Sequence, residues 1–210
     1  MDKMNRTRQL ILDVSKNIFL ENGYSATTFQ MIADVANISK TSINYYYARK
    51  QDISNEILSN YISQCREFVV SYGSYNDLLS FSLMVIIFFK AILSTEQTKE
   101  FFGDLIKRNN VTSSPHEDFQ RYYLSIIYQL NLNISPEELA LKKISIFGAV
   151  NEFSVNYLTG KLNLDDDGYI SAVLNDIFSI LRISDEVINN YVSSSFELYN
   201  SIEKEKLPVF

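Results

Sequence analysis

The chain has 210 residues, 46% hydrophobic and 21% charged, with a net charge of −6. That balance belongs to a globular protein of one large or two small domains and excludes a disordered or fibrous chain. The N-terminal MDKMNRTRQ has no secretory-signal pattern, the longest strictly apolar run (Leu83–Phe89) is too short to cross a bilayer, and the single cysteine, Cys65, excludes a disulfide framework. Together these features point to a cytoplasmic protein.

In chain order, Asn5–Asn22 carries Leu10, Ile11, Val14, Ile18 and Phe19 on one helical stripe, and Gly23 stands just past its end. Arg6 and Arg8 at its start oppose the helix dipole, and phosphate explains them better than helix stability does. Phe29, Ile32, Ala33 and Ala36 make the apolar face of a short second helix capped by Thr27 or Thr28. Asn37 tolerates the left-handed turn that a sharp stop needs, Ile38 points inward, and Ser39 caps a third helix, Lys40–Tyr46. The spacing predicts a helix-turn-helix, with Ile32, Ile38 and Ile43 as its small core and Lys40, Thr41, Ser42, Asn44 and Tyr45 facing out. Such side chains suit base edges and phosphates; the alternative is an ordinary solvated helix face.

Six more helices follow the long Gln51–Tyr72 helix, which at roughly 30 Å by helical rise can act as a lever. Tyr75–Leu93 is apolar almost all round and is expected at the centre of the second domain. Thr95–Asn109 is amphipathic. Asn109–Pro115 reads as a polar connection before a helix that runs to Leu130. Ser135-Pro136-Glu137-Glu138 opens a helix to Leu158 that stops at Gly160. Asp165–Ile183 and Ser184–Glu203 complete the set. No alternating strand pattern occurs, so the expected fold class is all-α, with a helix-turn-helix domain over 1–50 and a larger α-helical domain over 51–210.

From Arg6 to Leu58 the chain resembles the DNA-binding head of the TetR family of bacterial transcriptional regulators. The resemblance rests on Gly23-Tyr24, Thr27-Thr28, Ser39, Tyr46-Tyr47 and Lys50-Gln51-Asp52-Ile53. It implies that Thr28, Tyr46 and Lys50 hold phosphates and that Lys40 to Tyr45, behind the Ser39 cap, face the DNA groove. Asn37, Thr41 and Asn44 depart from the family pattern, which bears on which bases are read. Residues 1–60 hold seven Lys or Arg against six Asp or Glu, so the head is only weakly basic. Affinity must lean on a few placed cations, with Arg6, Arg8, Lys40, Arg49 and Lys50 as candidates, and on a dimer's doubled contacts.

The resemblance also implies that the larger domain binds an effector and dimerises, giving a homodimer on a palindromic double-stranded operator and a small apolar or aromatic effector in the second domain. Fourteen Tyr, fourteen Phe and no Trp are compatible with a solid aromatic core or with an apolar cavity. Candidate lining residues are Tyr61, Cys65, Phe81, Phe88, Phe102, Tyr122, Tyr123, Phe147 and Asn151. Candidate interface residues on the two helices through which the family pairs are Ile144, Phe147, Gly148 and Val155, then Ile170, Val173, Leu174, Ile177 and Leu181. The expected function is a ligand-responsive repressor. The alternative is a coregulator answering to a protein partner.

Neither a cofactor nor a metal is expected. Asn163, Asp165, Asp167 and Gly168 follow an EF-hand count, but its twelfth position is Leu174, which cannot ligate. The one histidine, His116, lies far from Cys65 and forms no nucleophile–base pair. An enzyme is not expected.

Overall fold

The structure is a computed structural model that describes the backbone of residues 3–108 and 114–210, and the side chains of these except 3, 114–118 and 120. The expected connection at Asn109–Pro115 and the His116 side chain therefore lie outside the described residues, or largely so. Ten helices account for the fold, and the described residues contain no strand. They are α1 (Lys3–Asn22), α2 (Phe29–Ala36), α3 (Lys40–Tyr46), α4 (Lys50–Tyr72), α5 (Asp77–Ile92), α6 (Glu96–Lys107), α7 (Ser114–Gln129), α8 (Pro136–Leu158), α9 (Asp166–Ile180) and α10 (Asp185–Ser201).

Local chemistry sets the helix ends. The side chains of Thr28, Ser39, Asn76, Thr95, Ser135 and Asp165 each accept a hydrogen bond from a backbone N–H three residues on. Each satisfies a donor that the first helical turn leaves orphaned. Pro136 occupies the first turn of α8, where its missing N–H costs nothing. α1 is followed by Gly23 at φ +81° and α8 by Gly160 at φ +71°, a conformation in which a Cβ would be strained.

Most of the core outside the first three helices is built on α5. Leu78, Phe81, Leu83, Met84, Ile86, Ile87 and Ile92 are buried, and the helix touches α4, α6, α7, α9 and α10. α6 leaves it at an angle of 110°. Its one basic residue, Lys90, pairs with Asp167 at the start of α9 at 2.5 Å. α8 packs on α6 and α9. Tyr157 and Tyr169 stack 4.3 Å apart across the α8–α9 corner, and the Ser154 and Tyr169 hydroxyls share a hydrogen bond of 2.6 Å. Glu138 near the start of α8 pairs with Arg182 just past α9 at 2.7 Å. No single helix among the described residues is long and apolar enough to cross a membrane.

The head is α1–α3 with the first turns of α4. Asn37 sits at φ +51°, ψ +45°, its N–H on the carbonyl of Asp34, while the Ile38 N–H returns to that of Ala33 at 3.1 Å. This is the left-handed helix stop that lets α3 leave α2 sharply. Asn37→Gly should fold at least as stably as the parent. Asn37→Val should lose about 1–2 kcal/mol, measurable by urea unfolding.

Candidate nucleic-acid interface and effector cavity

On α2 and α3 the buried side chains Ile32, Ala33, Ala36 and Ile43 face the head's interior. The opposite surface of α3 is left to Lys40, Thr41, Asn44 and Tyr45, all exposed, with Tyr45 at 75%. Tyr46 is half-buried and meets Tyr45 edge-on at 5.1 Å. Ser39 and Ser42 bond to each other at 2.8 Å while Ser39 caps the helix, and the Thr28 hydroxyl caps α2. Thr28, Ser39 and Ser42 thus already serve the helix ends, and a phosphate approaching them would share their hydroxyls.

The candidate cations separate into two groups. Arg8 donates to Glu56 at 2.7 Å and to the Tyr47 hydroxyl at 3.3 Å, and the same hydroxyl donates to Glu56 at 3.0 Å. This three-way contact joins α1, the end of α3 and α4. Burial pushes the Tyr47 phenol above its ordinary value, with the Arg8 guanidinium pulling the other way. Arg49 pairs with Asp52 at 2.7 Å in the capping box of α4. Lys50, expected on a phosphate, turns inward. Its ammonium donates to the carbonyls of Tyr24 at 2.5 Å and Thr27 at 2.6 Å and stands 4.5 Å from the centre of the Tyr24 ring. Burial lowers its pKa, and nearby Arg108 adds to the effect. Arg6 and Lys40 are exposed and hold no ion pair among the described residues. No sequence pattern marks Tyr47 and Glu56 for their contact with Arg8, because Glu56 lies 48 residues away, beyond any local motif.

The regulatory helices enclose an apolar cavity of about 90 Å³. Of the candidate lining residues, Phe81, Phe88, Phe102, Tyr123, Phe147 and Asn151 reach it. Tyr61, Cys65 and Tyr122 do not. Tyr61 turns its hydroxyl to the Pro208 carbonyl at 3.0 Å, Cys65 is wholly buried, and Tyr122 packs on the Phe81 ring. Burial pushes the Cys65 thiol up to about 12, which keeps it protonated and unreactive at neutral pH. Phe89, Phe119 and Met84 also line it, with aliphatic side chains such as Leu58 and Ile146, and among the described residues no acidic or basic side chain does.

The expected interface residues also divide. Ile144 is 70% exposed, Gly148 is exposed, and Phe147 and Val155 are half-buried. Ile170, Val173, Leu174, Ile177 and Leu181 are instead buried within the chain's own core, and Val173 and Ile177 line the cavity. The outward face of α9 carries smaller or polar residues, Ala172, Asn175 and Ser179. At the EF-hand-like loop, Asp165 caps α9 through the Gly168 N–H and Asp167 holds Lys90. The described residues contain no group of three side chains placed to bind a metal.

The family described as bacterial regulatory proteins, tetR family, matches residues 11–57. The HTH-type transcriptional regulator YhgD of Bacillus subtilis is 28% identical over 60 residues, 29% of this chain and 31% of that protein. The HTH-type transcriptional repressor KstR2 of Rhodococcus jostii is 27% identical over 134 residues, 57% of this chain and 63% of that one. The chain thus matches under two thirds of the length of each. The crystal structure of a tetR-family transcriptional regulator from Streptomyces coelicolor shares the fold with a TM-score of 0.55 at 16% identity, over 94% of this chain and 90% of that one. Residues 11–57 thus match the TetR family of bacterial regulators in sequence, and the fold is that of a tetR-family regulator along nearly the whole chain.

Proposed function

We propose that the chain is a homodimeric repressor that reads a palindromic operator with α3 and releases it when a small, neutral, apolar molecule enters the α5-centred cavity. The observation that carries the reading is the exposed face of α3. Lys40, Thr41, Asn44 and Tyr45 project from a capped helix held behind a left-handed turn, as entry into a major groove requires. KstR2, 27% identical over 134 residues, is a repressor, which supports the sign of regulation.

Pairing through the outward faces of α8 and α9 has two physical supports. Gly148 lies within α8, where glycine costs about 1 kcal/mol relative to alanine, yet a Cβ there would meet no atom within 4 Å. Its smallness therefore serves nothing within the chain and suits the close approach of a second copy. Leu141 and Ile144 add apolar surface at 67% and 70% exposure. Ile144→Asp combined with Gly148→Leu should shift the protein from dimer to monomer in sedimentation while its helical circular dichroism is retained. A dimer that persists would remove this face from the reading.

The lining among the described residues is uncharged and favours a neutral effector, because a buried charge without a partner is strongly disfavoured. A cavity of about 90 Å³ is below the roughly 300–1,000 Å³ of ordinary ligand sites, so an effector must displace wall side chains such as Met84 and the phenylalanine rings. Physically, the effector must bind the non-DNA geometry more tightly, and DNA must weaken the effector by the same factor. The same small volume favours a second reading, a coregulator with a solid core that answers to a protein partner.

Selection from random duplex DNA decides first. The expected result is a palindrome, and no enrichment at low salt would favour the coregulator. On the recovered site, Lys40→Ala should reduce the slope of log affinity against log salt, by about one for each phosphate no longer neutralised. Lys50→Met should weaken binding without changing that slope, since its ammonium is held by the protein's own carbonyls. An equal loss of slope would mean that Lys50 swings to a phosphate in the complex. Asn44→Ala should change base preference rather than overall affinity, by about 1–3 kcal/mol at one position.

A further inference from the structure

The residues after α10 return to the joint between head and body. Beyond a short 3₁₀ turn at Lys204–Lys206, the chain passes through Leu207 and Pro208 and seats Phe210 among three helices. The Phe210 ring stands edge-on to Tyr61 of α4 with centroids 5.0 Å apart, and 5.9 Å from Phe101 of α6. The Lys16 ammonium of α1 lies 4.7 Å from the centre of the same ring. The backbone is tied as well, since the Tyr61 hydroxyl donates to the Pro208 carbonyl at 3.0 Å. Val209, between these anchors, is 83% exposed. The attachment is therefore made by particular groups and not by a general apolar smear.

We propose that 207–210 is a strap that holds the DNA-binding head at a fixed angle on the regulatory body, fastened by Phe210. Apart from the strap, the body meets α1 through α4, which runs on out of the head, and through α6, which also meets the turn after α1. Phe19 stacks on Phe101 at 5.6 Å, Tyr24 meets the same ring at 6.3 Å, and the Ser25 hydroxyl donates to Asp104 at 2.6 Å. The packing of α1 on α4 and of α1 on α6 forms two separate contacts. Phe210 adds a point common to all three by touching Lys16, Tyr61 and Phe101 together, so α1, α4 and α6 are fastened to one ring. An edge-on aromatic pair and a cation over a ring are each a modest interaction. Together they are enough to change a local opening equilibrium by roughly tenfold.

The test is native-state hydrogen exchange on the intact protein. In Phe210→Ala, amides of residues 16–24 should exchange roughly tenfold faster while α8 and α9 keep their protection, and Val209→Ala should behave like the parent. Phe210→Trp should restore the protection. It also introduces the only tryptophan of a chain that has none, whose emission should be that of a shielded indole. Unchanged exchange at 16–24 in Phe210→Ala overturns the strap, as does an equal rise across all helices or a solvent-exposed tryptophan spectrum.

Discussion

A helix that is apolar on every side cannot rest on a surface and must be surrounded. α5 is such a helix, and its burial dictates the regulatory body: α4, α7, α9 and α10 close around it, and α6 turns away at 110° to continue the packing toward the head. The cavity follows from the same constraint. Phe81, Phe88 and Phe89 all leave α5 near the meeting point of α6, α7 and α8, and rings of fixed shape do not fill that space completely. Void and core are thus products of one packing problem.

The head depends on a second kind of economy. Its formal charge is close to neutral, and the fold engages three of five candidate cations internally, on Glu56, on Asp52 and on backbone carbonyls. These contacts bind α1, α3 and α4 into one unit. Under the proposed function, a head built this way would rely less on bulk attraction to DNA than on geometry: the pitch of α3, the exposed Asn44 and Tyr45, and the spacing that a second copy would set.

What was legible in the sequence was local. Caps at Thr28, Ser39, Ser135 and Asp165, and stops at Gly23, Asn37 and Gly160, each depend on a few neighbouring residues, so the helices could be placed to within a few residues of their ends. The helix-turn-helix is compact in sequence and was legible for the same reason. The side that a body helix turns inward was not. α9 has apolar residues on more than one face, and only its packing against α5 and α8 decides that Ile170, Val173 and Leu174 are internal. Lys50 illustrates the same limit. Its motif marks it as a cation near DNA, but its destination is a set of carbonyls 23 to 26 residues earlier in the chain. Tyr61 and Cys65, on an inward helix face, were equally apt for core and for cavity, and packing placed them in the core.

The Phe210 contact also has a bearing on how the molecule comes to exist. Chains emerge from the ribosome in order, and an N-terminal domain generally folds before the remainder is made. Here the contacts within the head lie among α1 to α4, yet the ring that joins Lys16 to Tyr61 lies at position 210. Under the proposed strap, the group that fastens the head's orientation is made after every helix of the fold, so orientation follows folding.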